Sequence, residues 1–221
     1  MNAARGEDLD RLLRERLGPV DRTWRPRGVP AAGVVEPAVP DLAAGLRDAA
    51  VLAPLFHRDG EDWLLLTKRR EGLPDHPGQV AFPGGAREGD EDPVACALRE
   101  TSEEVGIAPA TVELLGRLPD RVSIAGFLVA AFVGRIPPPA GLRVDAREVE
   151  RVLVVPVRRL LDEDRWRYED RRSPLGVFRK VPFFDWQGPT IWGLTGMFVR
   201  DLVAVAGETV AHPSPPPPPR A

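Results

Sequence analysis

Leu9, Leu12, Leu13 and Leu17 fall on one stripe of "EDLDRLLRERLG", which predicts an amphipathic helix from Glu7 to Gly18, closed by Gly18-Pro19. Such a stripe suits packing on its own domain or a contact in a homodimer. Pro19 to Pro40 is rich in Pro, Gly and Arg and reads as an extended lead-in. Two apolar runs follow, "AAVLAPLF" and "DWLLLTKR", with a turn at "HRDGE" between them, so two strands are expected. Further strands are expected at "TVELLGRL" and "AGFLVAAFVG", then a turn at "PPPAG". "VERVLVVPVRRLL" reads as a strand entering a short helix, and "RWRYEDR" with "VFRKVPFFDW" as a hairpin with a long loop. "IWGLTGMFVRDLVAVAGE" is expected to be the last helix, and "HPSPPPPPRA" a disordered or polyproline II tail. Strands before, between and after helices, without a regular strand–helix repeat, indicate an α/β protein with a mixed sheet flanked by helices.

The densest chemistry lies in "FPGGAREGDEDPVACALRETSEEVGI", Phe82 to Ile107. Pro93 suits the first turn of a helix that follows Asp90, Glu91 and Asp92, and Gly106 suits its end. At about 100° per residue, Val94, Ala97, Leu98, Thr101 and Val105 share the face that should pack on the sheet. Arg99, Glu100, Glu103 and Glu104 fall on the other side, so three carboxylates converge within a narrow arc. Arg99 stands four residues before Glu103 and can orient it, yet one cation does not balance three anions. A solvated helix face is the ordinary reading of such a run. The Gly84-Gly85 turn just before it favours another, because it can bring a backbone carbonyl to the carboxylates. Oxygen ligands of this kind suit Mg2+ or Mn2+, often completed by substrate phosphates.

Composition narrows the alternatives. In 221 residues, Lys and Arg total 30 against 33 Asp and Glu, a net charge of -3, so no basic excess marks a nucleic-acid binder. The single cysteine, Cys96, excludes an internal disulfide framework and suits the cytosol; it reads as a small semi-buried thiol. The first residues lack the apolar core of a secretory signal, and no uncharged apolar run approaches about 18 residues, so a cytoplasmic protein that does not span a membrane is expected.

The spacing from Gly85 is specific: five residues to Glu91, seven more to Arg99-Glu100, then Thr101, one residue, Glu103-Glu104, one residue, Gly106 and Ile107. It resembles the signature of the Nudix hydrolases, which cleave a nucleoside diphosphate linked to another group. Every fixed position is filled, although Thr101 stands where the family often has an aliphatic residue. The resemblance covers roughly Ala49 to Gly207 and implies an α/β/α sandwich around a mixed β-sheet. It divides the chain into an N-terminal helix and lead-in (residues 1–40), a Nudix domain (41–210) and a disordered Pro-rich tail (211–221). By resemblance, Glu100, Glu103 and Glu104 are metal ligands with the Gly84 carbonyl, and Arg99 orients Glu103. Glu91 is implied to anchor the loop or serve an outer metal, Gly85 to be structural, and Glu100 to be the leading choice of general base.

A narrower match precedes the box. "LLTKRREGLPDHPGQVAFPGG", Leu65 to Gly85, is similar to the upstream motif of the coenzyme A pyrophosphatases, including Arg69, Gly78 and Phe82-Pro83-Gly84-Gly85. Arg70 replaces a small residue there, and Pro74 stands where that motif has an arginine. Guanidinium is the natural bidentate partner of a phosphate, so either Arg69 or Arg70 takes over the contact or the substrate is a different one. His76 and Gln79 are the other candidate substrate contacts, with a loop-fixing role open for each. Asp145, Glu148 and Glu150 are possible carboxylates outside the box and also suit ordinary loop solvation. Trp192 suits the core better than base stacking. The expected partner is a small nucleotide pyrophosphate such as coenzyme A, with ADP-ribose, a dinucleotide cofactor or a nucleoside triphosphate as rivals. A nucleotide-binding regulator without turnover is the reading from a different class.

Overall fold

The structure is a computed structural model that describes residues 3–24, 36–37, 45–173 and 176–210. Its elements run α1 (Ala3–Arg16), β1 (Glu36–Pro37), β2 (Arg47–Arg58), β3 (Glu61–Arg69), β4 (Val80–Ala81), β5 (Gly84–Ala86) and α2 (Pro93–Val105). Then follow β6 (Glu113–Val122), β7 (Phe127–Arg135), β8 (Val149–Pro156), α3 (Val157–Leu160), β9 (Trp166–Ser173), β10 (Gly176–Asp185), β11 (Thr190–Trp192) and α4 (Gly193–Val210). Most of the lead-in and the Pro-rich tail lie outside the described residues.

The first hairpin forms because Asp59 and Gly60 take φ of 54° and 79°, the left-handed pair that a two-residue turn between twisted strands requires. The large sheet is mixed: β2 pairs in parallel with β7, and β6, β3, β4, β5 and β8 join antiparallel. Both faces are covered, which is why β2 and β7 read as nearly continuous apolar runs. Ala50, Leu52, Ala130 and Phe132 pack toward Val94 and Ala97 of α2. Their neighbours Ala49, Ala53, Val129, Ala131 and Val133 join Leu9 and Leu13 of α1 and Phe198, Val199 and Leu202 of α4. The expected α/β/α arrangement is therefore observed. A second sheet is built on β10, with β1, β9 and β11 paired to it.

Some boundaries differ from the pattern: α1 runs from Ala3 to Arg16 instead of from Glu7 to Gly18. Ile191 and Trp192 belong to β11 rather than to the last helix, because Gly193 at φ 63° breaks the run before α4 begins. Trp192 stacks on Phe183, with ring centroids 5.5 Å apart and planes within 4°. The strands β9 and β10 also run further toward each other than the pattern suggested, leaving only residues 174–175 between them. Among the described residues, no helix is long and apolar enough to cross a membrane.

A buried charge cluster ties α1 to the sheet. Arg135, ending β7, donates through Nε to Asp10 at 2.9 and 3.0 Å and through Nη1 to Asp62 at 2.9 Å. Arg135 is only 12% exposed, so removing it strands two carboxylates in a poor dielectric. Arg135→Met is therefore expected to lower stability by about 3–5 kcal/mol. Asp10→Asn, which leaves Arg135 its bond to Asp62, should cost clearly less. Urea midpoints of the two variants check this ordering, and equal midpoints would refute it.

Candidate active site

The hairpin strands β2 and β3 pair only from Leu55 to Arg58 and from Glu61 to Leu64, and then diverge. The split is filled by short strands, with Gly84–Ala86 pairing Ala49–Val51 and Val80–Ala81 pairing Thr67–Lys68. Gly84 is required by close approach: a Cβ there would lie 2.4 Å from the Ala50 carbonyl oxygen and 2.6 Å from Val51 Cα. Gly85 leaves room for the carboxylate of Glu100 as it is placed here, since a Cβ would meet it at 2.4–2.6 Å and turn that side chain aside. The glycine pair thus brings the backbone at the split against the acidic side of α2.

The helix is fixed at both ends by its own residues. Asp92 caps it, accepting from the Ala95 N–H at 2.9 Å, and Pro93 follows in the first turn. Gly106, at φ 74°, closes it in the left-handed region. Thr101, the departure from an aliphatic residue, is buried because its hydroxyl donates to the Ala97 carbonyl at 2.7 Å.

Arg99 is the main counter-charge. It grips Glu91 with Nε at 3.1 Å and Nη2 at 2.9 Å, and Nη1 reaches Glu100 at 2.9 Å and Glu103 at 3.0 Å. Glu91 also accepts from the Glu88 N–H at 2.8 Å, which closes the loop. The Arg99 guanidinium holds the Glu91 carboxyl below its ordinary range.

The three glutamates do not share one environment. Their side chains are 6%, 17% and 60% exposed at Glu104, Glu100 and Glu103 respectively, so Glu104 is far more buried than its place on the charged side suggested. Burial pushes the Glu104 carboxyl up to about 8; Glu100 and Glu148 add to this, while Arg69 and the Gly84 backbone oppose it. Burial also raises Glu100, against the pull of Arg99. A perturbed carboxyl beside two others, with a buried oxygen that lacks any hydrogen-bond partner (Glu104 Oε2), marks a candidate functional site.

Among the described residues, no three Asp, Glu, His or Cys side chains are already gathered so as to hold an ion. Arginines face these carboxylates: Arg99 contacts Glu100 and Glu103, and Arg69 lies beside Glu104. The donor set nevertheless suits a hard divalent cation, because buried carboxylate oxygens that raise one another's pKa are relieved by positive charge.

The substrate-contact candidates separate. Arg69, ending β3, faces Glu104 at 3.7 Å and Glu148 at 3.9 Å. Arg70 donates instead to the Ala146 carbonyl at 2.7 Å. His76 Nδ1 lies 2.9 Å from Gln79 Oε1, and His76 takes φ 54°, so this pair shapes its own loop. The Gln79 carbonyl accepts from the Arg69 N–H at 2.9 Å, which connects that loop to the site. Pro74 is exposed. Cys96 is fully buried rather than semi-buried, and burial pushes its thiol up to about 12, which makes it inert.

Three contributors lay outside the sequence-derived site. Glu148 comes beside Glu104 because β8 pairs with β3 and sets Val149 opposite Arg69; it was visible in sequence only as a loop acid. Trp24 donates from its ring to the Glu91 carbonyl at 2.9 Å, and Arg22 bonds the capping Asp92 at 2.9 Å. No local signal linked either to residues some 70 positions away. Trp24→Phe keeps an aromatic ring, smaller than the indole, and removes the hydrogen bond, about 1 kcal/mol. Amide exchange of residues 88–92 is expected to quicken about fivefold, with global unfolding nearly unchanged. Unaltered exchange would show that Trp24 does not hold this loop.

The sequence has clear relatives among known proteins. The family model described as the NUDIX domain matches residues 46–174. The uncharacterized Nudix hydrolase NudL of Enterobacter sp. (strain 638) is 41% identical over 162 residues, covering 73% of this chain and 83% of that protein. Its counterpart in Cronobacter sakazakii is 39% identical over 181 residues, covering 79% and 91%. Among solved structures, a C. elegans Ap4A hydrolase binary complex superposes with a TM-score of 0.45 at 21% identity, covering 50% of this chain and 80% of that one. With a family match over more than half its length and relatives near 40% identity, the chain belongs to the Nudix hydrolase family.

Proposed function

We propose that the protein is a Mg2+- or Mn2+-dependent pyrophosphohydrolase that cleaves coenzyme A or acyl-coenzyme A. The products would be 3',5'-ADP and 4'-phosphopantetheine or its acyl form. The observation that carries the hydrolase reading is the carboxylate pair at the glycine turn: half-buried Glu100 lies on Gly85, and buried Glu104, beside the Gly84 backbone, has one oxygen unpartnered. The substrate reading rests on the similarity of Leu65 to Gly85 to the coenzyme A pyrophosphatase motif.

Glu100, Glu103 and Glu104, with the Gly84 carbonyl, would hold the cation. Bound there, it supplies a water of lowered pKa and neutralises charge on the phosphoryl oxygens. Glu100 is assigned the proton of the attacking water; its carboxylate is positioned between the Gly85 backbone and Arg99. Arg99 and Glu91 keep the glutamates in register through their bidentate pair. Water attack breaks the pyrophosphate directly, without a covalent enzyme intermediate. Exposed Pro74 and the engagement of Arg70 with Ala146 favour a second reading, a hydrolase of other nucleoside-diphosphate compounds such as ADP-ribose, a dinucleotide cofactor or a nucleoside triphosphate.

Turnover should stop in excess chelator and return on adding Mg2+ or Mn2+. Glu103→Gln and Glu104→Gln should each lower kcat by about two orders of magnitude or more while the fold persists by circular dichroism. Full activity in chelator, or near-normal turnover in both variants, would reject the metal assignment. Binding of nucleotide without any product release would favour the regulator.

Coenzyme A, dephospho-coenzyme A, ADP-ribose, NADH and nucleoside triphosphates should be compared at matched concentration with each metal. The highest kcat/KM is expected for coenzyme A or an acyl-coenzyme A. A preference for ADP-ribose or triphosphates would replace the coenzyme A reading with the second one.

A further inference from the structure

Arg69 and Arg99 both face the glutamates, but they are held differently. Arg99 makes hydrogen bonds of 2.9–3.2 Å to Glu91, Glu100, Glu103 and the Ala86 carbonyl. Arg69 Nη1 stands 3.7 Å from Glu104 and 3.9 Å from Glu148, beyond hydrogen-bond reach. Both Arg69 Nε and Glu104 Oε2 are buried without a hydrogen-bond partner. This pair is therefore retained by charge alone and leaves two polar groups unsatisfied, a contact that a better partner can replace.

The backbone around Arg69 is fixed by the Gln79 carbonyl and by pairing with Val149, so exchange of partners falls to the side chain. A divalent cation on Glu104 would repel the guanidinium at this distance. A phosphate would then be its natural replacement partner. Building on the metal-binding reading above, we propose that Arg69 is the counter-ion of the carboxylate cluster in the metal-free protein. On this reading a divalent cation at Glu104 displaces it, and the freed guanidinium is presented to a phosphate of the substrate. Arg69 is then a positioning residue that opposes cation binding in the free protein and favours it once a phosphate is present.

The test is Mn2+ binding to the metal-free full chain, followed by electron paramagnetic resonance of the free ion. Wild type, Arg69→Met, Arg69→Lys and Glu104→Gln are titrated with and without methylenediphosphonate, a pyrophosphate analogue. Without the analogue, Arg69→Met should bind Mn2+ about fivefold tighter than wild type. Arg69→Lys, which keeps the charge, should fall between them. The analogue should tighten Mn2+ binding in wild type and do so less in Arg69→Met. Equal or weaker binding in Arg69→Met, with Glu104→Gln still impaired, overturns the counter-ion role and leaves the metal site standing. Unimpaired binding in Glu104→Gln overturns the metal reading itself. Should Arg69→Met not fold, the Nε–H resonance of Arg69 in wild type, assigned by its loss in Arg69→Lys, is followed instead. It should move on saturation with Mg2+, and a stationary resonance overturns the proposal.

Discussion

Carboxylates one helical turn apart repel one another, and burying them strengthens the repulsion because water no longer screens it. The acidic side of α2 is tenable only because cationic groups are brought to it, one from its own sequence and one from across the sheet. Arg99 rises from the helix itself and takes Glu91, Glu100 and Glu103 together. Arg69 arrives from the end of β3, next to Glu104, which the first arginine does not serve. The opening between β2 and β3 makes room for this arrangement, and the glycines there let the Glu100 carboxylate rest on bare backbone.

The scaffold around the helix extends beyond the matched family region, residues 46–174. Leu9 and Leu13 of α1 and Phe198, Val199 and Leu202 of α4 share the core beneath the sheet. The segment after α1 is bound at Gly18 to Arg117 of β6, and the Arg117 guanidinium holds the Asp21 and Thr23 carbonyls. From that base Trp24 and Arg22 reach the loop and cap that begin α2. Residues outside the Nudix signature thus restrain the element that carries it. Precision at the glutamates depends on such support, since a rigid helix is only as well placed as its ends.

The loop between β3 and β4 combines local and distant restraint. His76 in the left-handed region and its bond to Gln79 set the loop's own shape, while the Arg69 N–H and Gln79 carbonyl fix it to the end of β3. Arg70 spends its guanidinium on the Ala146 carbonyl and its N–H on that of Glu148. It thereby steadies the loop that carries Glu148, the acid next to Arg69.

What the sequence by itself determined is whatever depends on neighbours along the chain. Asp92, Pro93 and Gly106 bound α2 because caps act within one turn, and Asp59-Gly60 forms its turn because left-handed φ is a property of those two residues. The spacing of Glu91, Arg99, Glu100, Glu103 and Glu104 was legible because helical geometry relates residues three and four apart. Tertiary structure decided which glutamate is buried, since Glu103 and Glu104 are adjacent in sequence yet differ from 60% to 6% in exposure according to what packs over them. It also decided that Glu148 stands by Arg69 and that Trp24 holds Glu91, because strand register and the docking of α1 bring together positions that no local pattern relates. The boundary at Gly193 belongs with these: pairing with β10 drew Ile191 and Trp192 into a strand, although the apolar run alone had assigned them to the helix.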